Sequence, residues 1–204
     1  MKIKDVDEFF KEVNRLISFP IRVILTGGAA GVLWGVKRVT FDIDFEVHIH
    51  LNREPASRWA ELEKVFSEVS RLTHITPQFS EDIDRWSSIV LPSKKSLCYK
   101  KIGKVDLRLL DPSVWAIGKL ARFLKSDVSD LVHVLREAKT DSRACAILWG
   151  RALGQSPASS AQDLFRRQVE RFLDQYGKKI WGPRMNPEIH KQIFLNSARR
   201  SRRR

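Results

Sequence analysis

Residues 40–50 alternate between polar and apolar side chains, and this alternation constrains the fold more than any other feature of the chain. The apolar positions are Phe41, Ile43, Phe45, Val47 and Ile49, and the polar positions include Asp42, Asp44, Glu46, His48 and His50. Because successive side chains of a strand point to opposite faces, a period of two predicts a β-strand over 40–49 with one face in the core. Asp42 and Asp44 then lie side by side on the polar face, with Cα atoms about 7 Å apart.

A glycine pair, Gly27-Gly28, follows a short apolar run at 21–25 that predicts another strand. Such a pair is typical of a strand-to-helix turn whose backbone N–H groups are open to phosphate. Two adjacent carboxylates repel each other unless a cation lies between them, and hard oxygen ligands favour Mg²⁺ or Mn²⁺. A D-x-D pattern alone favours ordinary surface acids. Together with the glycine pair, however, Asp42 and Asp44 predict a phosphate-binding turn beside a metal site, which is the chemistry of nucleotidyl transfer.

Asp106 is the predicted third carboxylate of this site. It lies in a second alternating segment, where Val105, Leu107 and Leu109 can face the core and Asp106 the opposite side. In a two-metal mechanism a third carboxylate helps to bind the metal that activates the attacking hydroxyl, or acts as its base.

The remaining periodicity predicts a mixed α/β (α+β) chain: a small mixed β-sheet core with flanking helices in residues 1–110, then an all-helical domain in 111–198. Further strands are predicted near 75–79 and 88–91, and a hairpin at 96–101 and 104–110. Helices are predicted at 5–18, 29–36, 55–72, 112–125, 127–139, 142–152, 160–176 and 187–198. Asp111 and Pro112 are expected to begin a helix, and Gly154 and Gly177 to end two others.

The positive charge is concentrated in the second half of the chain. The formal net charge is +13; residues 1–110 hold 18 Lys/Arg and 15 Asp/Glu, and residues 111–204 hold 19 and 9. A basic surface attracts polyanions, of which nucleic acid is the commonest. Five arginines within 199–204 have no apolar neighbours and predict a disordered basic tail, either solubilising or in contact with nucleic acid.

Several classes of protein are not indicated. No run approaches the roughly 20 apolar residues that span a bilayer, so no membrane partner is expected. The first residues lack the apolar stretch of a signal peptide. Cys98 and Cys145 lie in unrelated segments and suggest neither a disulfide framework nor a zinc cluster. A cytoplasmic location is therefore expected.

The motifs together resemble those of a known group. The string Gly27-Gly28-Ala29-Ala30, Gly35, Arg38, Thr40 and Asp42-Ile43-Asp44 resembles the DNA polymerase β-type nucleotidyltransferase superfamily. It is similar to bacterial and archaeal members of the abortive-infection and toxin–antitoxin type. Those relatives carry a later lysine and aspartate segment, which here is Lys119-Leu120 followed by Asp127 and Asp130. The resemblance covers roughly residues 21–135.

The resemblance implies a role for each matched residue. Gly27 and Gly28, with Arg38 and Thr40, would bind the nucleotide, and Asp42, Asp44 and Asp106 would hold Mg²⁺ or Mn²⁺. Lys119 would reach the triphosphate, and Asp127 or Asp130 would complete the site or hold Lys119. Two alternatives remain open: Lys119 as a solvated surface lysine, and one of the two aspartates as a helix cap.

The expected activity is transfer of a nucleoside monophosphate from a nucleoside triphosphate to an acceptor hydroxyl, in a cleft between the two domains. The basic second half favours RNA as the acceptor. The resemblance suggests the tRNA 3′ end, hence a toxin with a possible cognate antitoxin protein. The alternatives are nucleotidylation of a protein or small molecule, a non-catalytic binding module of the same fold, and a nucleic-acid-binding protein that acts through its arginine tail.

Overall fold

The computed structural model describes residues 1–37, 42–49, 55–82 and 88–202, and the chain divides into two compact units. The first unit comprises the described residues of 1–82 and 96–110, and the second comprises 88–95 and 111–202. Residues 88–95, predicted to belong to the first domain, therefore belong to the second unit. There the Val90 N–H donates to Ser156 Oγ at 2.9 Å. The local sequence around Val90 does not predict this long-range contact.

The first unit is built on a five-stranded mixed sheet with strand order β3-β2-β1-β5-β4. Its elements are α1 (Ile3–Leu16), β1 (Ile21–Leu25), α2 (Gly27–Leu33), β2 (Asp42–Ile49), α3 (Pro55–Thr73), β3 (Thr76–Ser80), β4 (Ser96–Ile102) and β5 (Val105–Leu110). β1 is antiparallel to β2 and parallel to β5, β2 is parallel to β3, and β4 is antiparallel to β5. With the helical C-terminal region, this confirms the predicted mixed α/β fold class.

An aromatic cluster forms the core against one face of this sheet. Phe45 of β2 lies 5.5 Å from Phe10 of α1 and 5.1 Å from Phe66 of α3, measured between ring centroids. Ile43, Phe45 and Val47 are all buried, as the alternation predicts. Asp42 and Asp44 alternate with these buried residues along β2 and therefore lie on its opposite face.

The second unit is helical: α4 (Pro112–Arg122), α5 (Lys125–Glu137), α6 (Ser142–Gln155), α7 (Ser160–Trp181) and α8 (Pro187–Ser201). The predicted start of α4 is confirmed, since Asp111 Oδ1 accepts from the Ser113 N–H at 2.9 Å and Pro112 opens the helix. Trp149 of α6 is fully buried, and its Nε1–H donates to the Ser113 carbonyl at 2.9 Å. Among the described residues, no helix is long and apolar enough to cross a membrane.

Three local predictions were wrong. Residues 88–91 form no strand. Gly154 and Gly177 lie within α6 and α7 rather than after them, and α7 ends instead at Gly182, whose φ is +91°. Gly154 is a packing glycine, because a Cβ there would lie 2.4 Å from the Ala198 carbonyl oxygen of α8.

The predicted disorder of 199–204 is wrong for residues 199–202. Helix α8 continues to Ser201, and Arg202 donates from Nη2 to Gln162 Oε1 at 3.1 Å. Phe194 and Ala198 are buried, so the helix is held by packing up to its last turn. Residues 203–204 lie outside the described residues.

Candidate functional site

The glycine turn and the acidic pair meet at one end of β1 and β2. In the antiparallel register Leu25 lies opposite Phe45, and beyond it the Thr26 N–H donates to the Asp44 carbonyl at 2.9 Å. The Gly28 N–H donates to Asp44 Oδ2 at 3.2 Å. The structure therefore brings together the two motifs that the sequence predicts to be neighbours.

Gly27 is required by this contact. Its φ is +53°, a conformation that costs little only for glycine, and a Cβ would lie 1.9 Å from Asp44 Oδ2. Any side chain at this position would have to displace the Asp44 carboxylate. The glycine thus allows a backbone turn and a carboxylate to lie in direct contact.

Asp42 lies on the same face of β2, two residues before Asp44. In the parallel register of β2 and β3, Asp42 lies opposite Thr76 and Asp44 opposite Gln78. Gln78 Nε2 donates to Asp42 Oδ2 at 3.4 Å. Gln78 is a polar residue of this site that sequence reasoning missed. Its alternation in β3 is readable from the sequence, but the pairing of β3 with β2 is not.

The structure does not bring Asp106 to this pair. Asp106 lies beside Arg22 in the parallel register of β1 and β5, and Arg22 Nε donates to Asp106 Oδ2 at 2.8 Å. Thr26, the residue after β1, is the neighbour of Asp44, and Arg22 precedes it by four residues. Asp106 is therefore displaced from Asp44 by roughly 13 Å along the strand direction, and β1 lies between their two strands. This corrects the predicted three-carboxylate set: alternation placed Asp106 on the right face, but the register of β5 places it at the wrong level.

Asp42 and Asp44 are the side chains of this corner that could hold one hard divalent cation. Mg²⁺ is commonly held by one or two carboxylates, with substrate phosphates and water as its other ligands. Within the described part of the chain, no group of three His, Cys, Asp or Glu side chains could hold a metal ion by itself. Two carboxylates are fewer than a closed structural metal site uses, so any cation held here would need further ligands.

Lys119, Asp127 and Asp130 form a buried ionic cluster in the second unit. Lys119 Nζ lies 2.8 Å from Asp127 Oδ1 and 3.0 Å from Asp130 Oδ2. The side chains of these three residues are 3%, 1% and 6% exposed. Lys119 Nζ also lies 5.3 Å from the centroid of the Trp115 ring. Lys119 is therefore not a solvated surface lysine.

The turn between α4 and α5 explains why these three residues meet. Phe123, after the last residue of α4, has a φ of +55°, and α5 begins at Lys125. The N-cap of α5 is Leu124, with no side-chain cap, so the alternative of Asp127 or Asp130 as the N-cap residue is not observed. Both aspartates hold Lys119. Contact of Lys119 with a triphosphate stays a prediction.

The charges in this cluster are balanced by short hydrogen bonds. Burial alone would raise the pKa of Asp127, but hydrogen bonds from Arg122 and Lys119 outweigh it, and the pKa lies below the usual value. Arg122 Nη2 lies 2.9 Å from Asp127 Oδ1. Asp127 is therefore a carboxylate at neutral pH.

The predicted nucleotide-binding residues Arg38 and Thr40 lie outside the described residues, as does His50. Beyond Asp44 on the same strand, Glu46 is buried, and its Oε1 lies 2.6 Å from His48 Nε2. His48 is thus engaged by a carboxylate at the far end of β2.

Comparison with known proteins adds no relative: no family model, no curated protein and no solved structure matches the chain.

Proposed function

We propose that the protein transfers a nucleoside monophosphate from a nucleoside triphosphate to an acceptor hydroxyl, as do the polymerase β-type nucleotidyltransferases that its sequence resembles. The observation that carries the proposal is the contact between the glycine turn and the acidic pair. Gly27 leaves room for no side chain beside Asp44, and the Gly28 N–H points at the Asp44 carboxylate. A backbone donor for phosphate and carboxylates for a cation thus share one corner of the sheet.

Each group has a distinct task in this reaction. The Gly28 N–H is a donor at which a phosphate oxygen can replace the Asp44 carboxylate. Asp42 and Asp44 would hold Mg²⁺, which when bound neutralises charge on the phosphates. The acceptor oxygen forms a bond to the α-phosphorus, the bond to pyrophosphate breaks, and the hydroxyl proton is released. The turn, fixed by backbone hydrogen bonds, orients the phosphates for this in-line exchange.

We further propose RNA as the acceptor, with the tRNA 3′ end as the specific target of a toxin–antitoxin toxin in the cytoplasm. A cognate antitoxin protein would then restrain it. Support comes from the charge distribution, since residues 111–204 hold 19 Lys/Arg against 9 Asp/Glu. An RNA acceptor gains from such a surface because Lys and Arg replace counterions along its phosphates.

The test is incubation with each labelled nucleoside triphosphate, Mg²⁺ and total RNA. Label should enter RNA with the wild-type protein and not with Asp42→Asn or Asp44→Asn. Asp106→Asn is the matched control: it makes the same chemical change on the same sheet face, roughly 13 Å along the strand, and should keep transfer. Equal loss in Asp106→Asn would contradict a site built on Asp42 and Asp44 alone. If label entered a protein or a small molecule instead, that molecule and not RNA would be the acceptor.

A second candidate is a binding module that keeps this fold without catalysis. It is favoured by one observation, the distance of Asp106 from the acidic pair. Such a module would gain thermal stability from Mg²⁺ and a triphosphate but transfer no label. Stabilisation of the wild-type protein without transfer to any acceptor would select this alternative.

A further inference from the structure

Helices α6 and α8 of the second unit pack with their backbones in contact. A Cβ on Gly150 would lie 2.3 Å from the Phe194 carbonyl oxygen, and one on Gly154 would lie 2.4 Å from that of Ala198. Two glycines four residues apart lie on one face of a helix, so the backbones approach closely at two successive turns of α6. Side chains of α6 and α8 beside this contact therefore lie close to one another.

A groove of about 530 Å³ runs beside the contact. Its α6 wall includes Arg143, Arg151 and Gln155, and its α8 wall includes Asn196 and Arg200. Residues four apart are neighbours on a helix surface, so the α6 members, with Ile147 between the two arginines, follow one inclined ridge along the groove. A volume of this size can hold a ligand.

Among the described residues, the charged side chains that line the groove are cations. Arg143, Arg151 and Arg200 line it, and no Asp or Glu of the described ranges does. All three arginines are exposed, and within the described part of the chain none makes an ion pair or side-chain hydrogen bond. Arg166 on α7, by contrast, lies 3.1 Å from Glu170. Three like charges in one groove repel each other unless an anion joins them, so the groove is complementary to a polyanion.

We propose that the α6–α8 groove binds the phosphate backbone of RNA. The proposal deepens the proposed function, because it rests on RNA as the acceptor and names the surface that holds it. Arg143 and Arg151 are eight residues apart, about 12 Å along the helix axis. That distance matches three to four stacked nucleotides at about 3.4 Å each, so a stacked strand bridges both charges whereas a single phosphate does not.

The other lining groups favour RNA over other polyanions. Ile147 lies between the two arginines and offers an apolar surface to ribose and base faces. Gln155 and Asn196 can both donate and accept hydrogen bonds, as recognition of the 2′-hydroxyl requires. A flat anionic membrane meets the rims of a groove, whereas a strand can lie in it.

The test compares two variants with the same change in charge. The groove variant carries Arg143→Gln, Arg151→Gln and Arg200→Gln. The control carries Arg167→Gln, Lys178→Gln and Lys179→Gln, three exposed cations on α7 outside the groove. Binding of fluorescently labelled single-stranded RNA is measured by anisotropy over a range of salt concentrations, without triphosphate or Mg²⁺.

The groove variant should bind RNA roughly ten- to a hundredfold more weakly and lose up to ~2 from the log–log salt slope, about 0.7 for each lost phosphate contact. The control should stay within about threefold of wild type. Equal weakening in both variants would overturn the proposal, as would undiminished binding in the groove variant. The single substitutions Arg143→Gln and Arg151→Gln should each lower the log–log salt slope by about 0.7. These single variants provide the test if the triple variant does not fold.

Two further arms separate this proposal from its alternatives. RNA binding is measured without triphosphate or Mg²⁺, so a failure of nucleotidyl transfer leaves the groove result intact, and the reverse also holds. DNA of the same sequence should bind more weakly than RNA. The groove variant and the control should bind vesicles of anionic lipid with equal affinity. Equal affinity for DNA and RNA would overturn the choice of RNA as the ligand. Weaker binding of vesicles by the groove variant than by the control would point to a lipid surface instead.

Discussion

Replacement of Lys119 by methionine tests whether the ionic cluster of the second unit is a structural element. The substitution keeps an unbranched side chain of similar length but removes the cation that Asp127 and Asp130 share at 2.8 and 3.0 Å. Loss of one partner from a buried ion pair costs about 3–5 kcal/mol, because the remaining charge stays buried. Arg122 still holds Asp127, which places the expected loss near the lower end, at about 3 kcal/mol.

The pH dependence gives this prediction a sign as well as a size. In the wild-type protein the pKa of Asp127 is lowered on folding, so its stabilising contribution is present above the unfolded value, about 3.9, and is lost as the pH falls through the folded pKa. Without Lys119, fewer hydrogen bonds oppose the desolvation of Asp127 and the pKa of that carboxyl rises, so its protonation as the pH falls should relieve part of the damage. The loss in the free energy of unfolding should therefore be smaller at pH 5 than at pH 8.

The assay is urea unfolding of the full chain, followed by tryptophan fluorescence at pH 5, 6, 7 and 8. Arg122→Met is the control: it removes another cation of Asp127, but one whose side chain is 60% exposed, and it should cost less than about 1 kcal/mol. Adding Asp127→Asn and Asp130→Asn to Lys119→Met should restore part of the stability. A loss under 1 kcal/mol, or an equal loss at every pH, would refute the reasoning from burial.

Two further predictions concern the glycine turn and the cysteines. Gly27→Ala should destabilise the first unit by more than ~1 kcal/mol and abolish transfer, because the new Cβ would clash with Asp44 and alanine disfavours a positive φ. Gly118→Ala is the control: a Cβ there meets nothing within 4 Å, so the change should be neutral or stabilise by up to ~1 kcal/mol. Urea unfolding of both variants checks this. Burial raises the pKa of the Cys145 thiol to about 11, so this thiol should react slowly at pH 8. A thiol reagent at that pH should modify the exposed Cys98 alone in the native protein and both cysteines after unfolding. Rapid modification of both cysteines in the native protein would contradict this.

The candidate site was predictable where its parts are close in sequence. Gly27-Gly28 follow β1 and open α2, and Asp42-x-Asp44 lie in β2. Because β1 and β2 are neighbours in both sequence and sheet, the short connection between them already limits where the two motifs can lie. The position of Asp106 was not predictable in the same way. Its strand joins β1 after more than seventy intervening residues, and alternation specifies a face of the sheet but not the level at which two strands pair.

The same distinction separates the two groups of the second unit. The spacing of Lys119, Asp127 and Asp130 is visible in the sequence, but their burial depends on the turn at Phe123 and on the packing of α4 and α5. The α6–α8 groove has no sequence signature of its own. Gly154 suggested a helix end, whereas the approach of α8 makes it a helix-packing residue.

The sequence by itself therefore determined the type of nearly every element, the start of α4 and the meeting of the glycine turn with Asp44, because these depend on local periodicity, capping and short connections. Only the tertiary structure decided the register of β1 with β5, the burial of Lys119 and the meeting of three arginines in the α6–α8 groove. Those features arise where segments distant in sequence pack together. The energy of such packing depends on which side chains meet, and no single segment carries that information.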